Sequence, residues 1–225
     1  AILFARAGVG KSALATQIAE HLARGLRMAP FDDEGVVTEP QTVLYLDFEL
    51  STEQLAARYS VIGSGGYVHG YEFSERFKRS ILSWDGRVIE GYDGFSDMFF
   101  TALSEAIEVT EATVLIIDNI TFLDETSTSN VDTALSIMRS LKELKQKRDV
   151  SILVLAHSRR RCRSNRLSSD DMQGSINLAN FADSVFAMET SRKGTDLRYL
   201  KQLKIRTGML EHDHTRVPVF SLKKM

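Results

Sequence analysis

Eight residues near the front of the chain leave few folds open. Ala5-Arg6-Ala7-Gly8-Val9-Gly10-Lys11-Ser12 joins an apolar run, Ala1 to Phe4, to a segment in which Leu14, Ile18 and Leu22 recur every four residues. That order is strand, glycine-loosened turn, amphipathic helix. The usual phosphate-loop pattern is Gly-x-x-x-x-Gly-Lys followed by Ser or Thr, and here Ala5 stands where the first glycine would be. Alanine is the next smallest residue, so the change is tolerable. Gly8 and Gly10 let the backbone turn with its N–H groups pointing inward, which makes an anion nest. The helix that starts near Lys11 adds the positive end of its dipole. The pattern predicts a cradle for the phosphates of ATP from Ala7 through Gly8, Val9, Gly10, Lys11 and Ser12 to Ala13. Lys11 would bridge the β- and γ-phosphates, and Ser12 would ligate Mg2+.

Three more apolar runs repeat the pattern of the first: Thr42 to Leu46, Thr113 to Ile117 and Ser151 to Leu155. Their near-continuous Val, Ile, Leu and aromatic content predicts strands buried on both faces. Val131, Leu135, Met138, Leu141 and Leu144 lie at helical spacing between the third and fourth. Strand alternating with helix predicts an α/β domain with a mostly parallel central sheet flanked by helices. The tail from Leu197 to Leu222 alternates more loosely and predicts antiparallel strands at the C-terminal edge of the sheet. Arg27 to Gln41 and Gly63 to Gly70 read as loops. The 225 residues suit a single domain, 1–225, whose amino terminus looks trimmed because it opens inside an apolar run. The lone cysteine, Cys162, excludes an intrachain disulfide and fits a reducing compartment such as the cytoplasm. No stretch is apolar enough for a membrane span.

A phosphate cradle needs a carboxylate across from it. Asp118 ends the run Val114-Leu115-Ile116-Ile117, at the carboxyl edge of a buried strand. That is the place for an acid that holds Mg2+ through its water shell. Hydrolysis also needs a group to activate water. Asp47 and Glu49 follow the strand at 42–46, and Glu49 lies nearer its tip. Glu49 is a candidate general base. It can equally be an acid at the N-terminal end of the helix that follows, which Ser51 or Thr52 can cap.

The phosphate loop, with its leading strand Ile2-Leu3-Phe4, resembles that of the hexameric replicative helicases of the DnaB type and of the plasmid RepA helicases. The segment from Leu46 to Arg58 is similar to the DnaB stretch that carries the catalytic glutamate. The resemblance implies a RecA-like P-loop NTPase fold, with Glu49 as general base. It also implies that His157, in Leu155-Ala156-His157, is a γ-phosphate sensor. A strand-end histidine bonded to a carbonyl is the plainer alternative. Gln173 to Asp183 resembles the Gly-Ser helix of the same proteins, and there Asp183 reads as structural. Leu203-Lys204-Ile205-Arg206-Thr207-Gly208 is similar to their Lys-x-Arg-x-Gly element, in which both cations reach the neighbouring subunit's γ-phosphate. Lys204 and Arg206 are so implied as catalytic groups acting in trans within a homo-oligomeric, hexameric ring. Two solvated charges on an edge strand are the alternative. Nothing in these 225 residues resembles the DnaB primase-binding domain, and Ile62 to Trp84 has no counterpart.

The net charge is only −2, so a nucleic-acid partner would have to meet a local basic patch. Residues 159–166 hold one, with five arginines in eight positions. Arg159, Arg160, Arg161 and Arg163 follow the sensor strand, where RecA-like motors place a DNA-contacting loop. Six copies in a ring would line a channel for single-stranded DNA. The alternative is a solvated loop paired with Asp170 and Asp171. His212 and His214 flank Asp213, a weak metal pattern without further ligands. The functional expectation is an ATP-hydrolysing, helicase-like protein of DNA replication or mobile-element processing. A KaiC-like regulatory ATPase without DNA, or an ATP-dependent protein-interaction switch, stays open beside it.

Overall fold

The computed structural model describes residues 1–28, 39–62, 68–81, 90–120, 131–159, 167–172 and 176–222. Among the described residues there are ten strands: β1 (Ile2–Ala5), β2 (Val43–Asp47), β3 (Ser60–Ile62), β4 (Val68–Gly70), β5 (Phe77–Ile81), β6 (Val114–Asp118), β7 (Ser151–His157), β8 (Ser184–Thr190), β9 (Leu197–Ile205) and β10 (Val219–Ser221). The α-helices among them are α1 (Lys11–Arg24), α2 (Thr52–Arg58), α3 (Phe95–Thr110), α4 (Val131–Arg148) and α5 (Ile176–Phe181). Eight strands form one sheet in the order β10-β9-β8-β1-β7-β6-β2-β5. The six from β8 to β5 are parallel, and β9 and β10 run antiparallel at one edge. This is the α/β architecture that the alternating sequence pattern predicts.

The period of two divides the strand residues between two cores. Leu3, Val43, Tyr45, Ile116 and Leu155 pack on one face with Leu14, Ala15, Ala19 and Ala23 of α1. Ile2, Phe4, Leu44, Leu46, Leu115 and Ile117 pack on the other with Phe99, Leu103 and Ile107 of α3 and Met138, Leu141 and Leu144 of α4. Leu115, Ile116 and Ile117 are fully buried, which explains why β6 reads as an unbroken apolar run. Truncating any of them to alanine would cost about 2–5 kcal/mol.

Chain direction places the site. From β1 the chain crosses by α1 to β2, three strands along the sheet, whereas β7 leads by α5 to β8 on the other side of β1. The order reverses at β1, and ligands of open α/β sheets gather at the carboxyl ends of strands beside such a reversal. Four elements depart from the sequence expectation. Helix α3 and strand β5 were not foreseen, and Val68–Gly70, expected in a loop, pairs with Ser60–Ile62 as a short hairpin. β5 is anchored by the buried Glu20 of α1, which accepts hydrogen bonds from the Ser74 amide at 3.0 and 3.1 Å and from the Tyr71 hydroxyl at 3.2 Å. Among the described residues no helix is long and apolar enough to cross a membrane.

Candidate nucleotide site

Strand β1 ends at Ala5, whose register partners are His157 of β7 and Met188 of β8. The loop that follows rises from the carboxyl edge beside both. Gly8 has φ +76° and Gly10 φ +106°, in the left-handed region that side chains disfavour. A Cβ on Gly10 would also collide with a methyl carbon of Leu222. Ala5 in place of the first glycine causes no conflict, because its methyl joins the core on the α1 face. Helix α1 opens with Gly10 as N-cap, and no side chain caps it. Its first-turn amides are therefore left to an anion, as the phosphate reading requires.

Lys11 is buried, and its Nζ lies 3.2 Å from Asp118 Oδ1. The Tyr45 hydroxyl donates to the other oxygen of Asp118 at 2.8 Å. Burial first, and then the Asp118 charge, push the Tyr45 phenol well above its ordinary range, so it stays a protonated donor. Sequence spacing gave no sign of Tyr45, because it meets Asp118 across two paired strands rather than along one motif.

Glu49 sits in the turn after β2. Its Oε1 accepts from the Asn119 side-chain amide and lies 3.3 Å from His157 Nε2. Asn119 Nδ2 is itself 3.0 Å from the same histidine nitrogen. Nε2 accepts from Asn119 when the ring proton is on Nδ1, and can donate to Glu49 when Nε2 carries a proton. His157 thus lies beside the candidate base. Asn119 is buried and immediately follows Asp118, through a cis peptide bond. Its position next to the strand-end acid was the one signal that could have marked it. Asp47 and Glu49 part company: Asp47 is buried against Arg79, while Glu49 turns to Asn119 and His157.

The structure therefore brings Lys11, Ser12, Asp118, Glu49 and His157 to one edge. Lys204 and Arg206 are not there. Ile205 pairs with Ser184 at the start of β8, so both cations lie at the opposite edge. Arg198, at the other end of β9, donates to the Val9 carbonyl at 2.6 Å. Six residues of strand put Lys204 about 20 Å from that contact. Lys204 Nζ donates to the carbonyls of Ala179 (2.7 Å) and Asn180 (2.9 Å), and Arg206 Nη2 to that of Phe181 (3.1 Å), at the carboxyl end of α5. Burial, then the neighbouring Arg206 charge, pull the Lys204 ammonium below its usual value.

Beyond His157, the Arg159 amide donates to Asp171 O at 2.7 Å, and Lys201 Nζ to Leu167 O at 3.0 Å. Both ends of the arginine-rich segment are so tied down, while Arg160, Arg161 and Arg163 lie outside the described residues, as does Gln173 to Ser175. Among the described residues no three His, Cys, Asp or Glu side chains cluster as a metal site, so the His212-Asp213-His214 pattern gains no support. Ser12 and Asp118 make a sparser arrangement, the kind that suits Mg2+ shared with phosphates and water.

None of the curated proteins matches the chain significantly. A family model for the AAA domain matches residues 1–162. That span is more than two thirds of the 225 residues, and it holds the phosphate loop, Glu49, Asp118 and His157 together with the strands that carry them. The chain belongs to the AAA-domain family and is an ATPase of the P-loop type.

Proposed function

We propose that this ATPase hydrolyses ATP with Mg2+ as a ring-forming, helicase-like motor on single-stranded DNA. The observation that carries the hydrolytic reading is Glu49, held by Asn119 and His157 at the same sheet edge as the buried Lys11–Asp118 pair. The residues present fit the ligand: an uncapped helix start, two left-handed glycines and one buried ammonium. Ser12 and Asp118 would hold the magnesium ion, which neutralises charge on the phosphate oxygens. Lys11 exchanges its bond to Asp118 for one to the β- and γ-phosphates. Glu49 takes a proton from water as the water oxygen bonds to the γ-phosphorus. The bond from that phosphorus to the β,γ-bridging oxygen breaks, and ADP leaves with that oxygen. Asn119 orients the carboxylate. His157 senses the γ-phosphate and passes its state to Ser158 and Arg159, which follow it directly.

The ring reading rests on geometry. Lys204 and Arg206 are too far from their own phosphate loop to act on it, so a catalytic role requires a neighbour's site. The DNA reading rests on five arginines at 159–166, the segment that leaves the sensor strand. A net charge of −2 favours the other reading, a regulatory ATPase of the KaiC kind without DNA. ATP turnover measured with and without single-stranded DNA separates the two. The motor should be stimulated at least about fivefold, with stimulation falling as salt rises. Joint replacement of Arg159, Arg160, Arg161 and Arg163 by alanine should remove the stimulation. A rate indifferent to DNA over a wide salt range would leave the regulatory reading standing.

A further inference from the structure

We infer that Arg79 and Asp47 are positioning residues that hold Glu49 in place, an inference that rests on Glu49 being the general base. Arg79 lies on β5, in the stretch of chain for which the sequence offered no counterpart. Asp47 and Arg79 have side chains only 3% and 11% exposed. The arginine meets Asp47 Oδ2 through Nε at 3.0 Å and Nη2 at 2.8 Å. The same Nη2 donates to the Leu50 carbonyl at 2.5 Å. The other oxygen of Asp47, Oδ1, accepts from the backbone amides of Glu49 and Leu50, each at 2.9 Å.

Together these bonds fix the turn that carries Glu49. The Phe48 amide donates to the Asp118 carbonyl at 2.8 Å. The Glu49 and Leu50 amides go to Asp47. The Ser51 amide goes to Gln54 Oε1 at 2.9 Å, inside the capping box of α2. Every amide from 48 to 51 has an acceptor, and the Leu50 carbonyl is held by Arg79. A carboxylate that must meet one water beside one phosphorus loses rate when it is misplaced by about 1 Å. The bracing ion pair lies off the reacting atoms. Both Asp47 oxygens and the Nε and Nη2 of Arg79 are taken up by the turn and by each other, so the brace forms without either side chain touching ATP. Lysine cannot replace the arginine, because a single ammonium lacks the rigid fork that binds Asp47 and Leu50 O together.

The test uses the whole chain with Mg-ATP. Arg79→Lys keeps the buried charge, so the fold is kept, and it should lower kcat about tenfold with KM and equilibrium affinity for ATP changed less than twofold. Arg79→Gln combined with Asp47→Asn leaves no lone buried charge, and should show the same split. In the Glu49→Gln background, itself slowed about 100-fold or more, Arg79→Lys should cause no further loss. Wild-type kcat in both Arg79 variants, a loss confined to KM, or a full additional tenfold loss on top of Glu49→Gln would each overturn the inference. Normal turnover by Glu49→Gln alone would instead overturn the base assignment, and so separates the two failures.

Discussion

The two edges of the sheet carry similar charges and treat them differently. At the carboxyl edge, Lys11, Asp118, Asp47 and Arg79 form ion pairs with side chains 2–11% exposed. At the opposite edge, Lys145, Asp183 and Arg206 pair with side chains 48–51% exposed. Buried pairs are costly to break and hold one geometry, whereas exposed pairs are worth little and can be exchanged. Under the function proposed above, the difference gives each edge a job: the first would be the half of a site built within one chain, and the second would offer its exposed cations to a neighbouring copy.

The sharpest way to break this contrast is Lys11→Ala. It removes the phosphate ligand and leaves the Asp118 carboxylate buried with only the Tyr45 hydroxyl. ATP affinity should fall at least about 100-fold, hydrolysis should drop to background, and the fold should lose about 3–5 kcal/mol. Titration with a fluorescent ATP analogue and denaturant melting read the two effects. Undiminished ATP binding would refute the phosphate-loop reading itself, and unchanged stability would show that the carboxyl edge is no more demanding than the other.

Arg206→Ala should behave the other way. Stability should move by no more than about 1 kcal/mol. Hydrolysis under conditions where the chain assembles should fall at least about 100-fold, as expected for an arginine that completes a neighbour's site. Mixing Arg206→Ala with Glu49→Gln should restore part of the rate, because one supplies the base and the other the cation. Full activity of Arg206→Ala in an oligomer, or no recovery on mixing, would remove the trans role.

The same contrast explains what could be read from the sequence. Motifs that run along one strand and its following turn were legible: the loop from Ala5 to Ser12, Asp118 behind its apolar run, Glu49 and His157 at strand tips. Near-continuous burial made β1, β2 and β6 stand out, the apolar run Ile152 to Leu155 marked the half-buried β7, and the loose alternation of 197–222 gave the antiparallel edge. What escaped was made by pairing across strands. Tyr45 meets Asp118, Arg79 meets Asp47, and Asn119 meets both Glu49 and His157, and no spacing along the chain encodes those meetings. β5 was hidden for a related reason. Phe-Lys-Arg-Ser-Ile carries two cations in five residues, so its edge position, paired among the described residues with β2 alone, keeps it from looking like a buried strand. Lys204 and Arg206 were legible as a pattern, but their contacts to the end of α5 were not.

The smallest expected effect tests how easily the opposite edge lets go. Lys145 donates to Asp183 at 2.7 Å, and this bond, with the Lys145 and Arg206 charges, holds the Asp183 carboxyl below its ordinary 3.8 against a smaller push from burial. A folded-state value below the unfolded one means that the ion pair adds stability above about pH 4 and loses it as the pH falls through the folded value. Half-exposed groups are screened, so Asp183→Asn should lower Tm at pH 7 by at most about 3 °C. The gap between variant and wild type should close as the pH is taken well below 3.8. The variant also frees Arg206 from the 3.2 Å contact with Asp183. If that contact merely keeps the cation at home, hydrolysis by the assembled protein should be unchanged or modestly faster. If the rate instead falls as it does for Arg206→Ala, Asp183 aims the arginine, and the outer edge is as preorganised as the inner one.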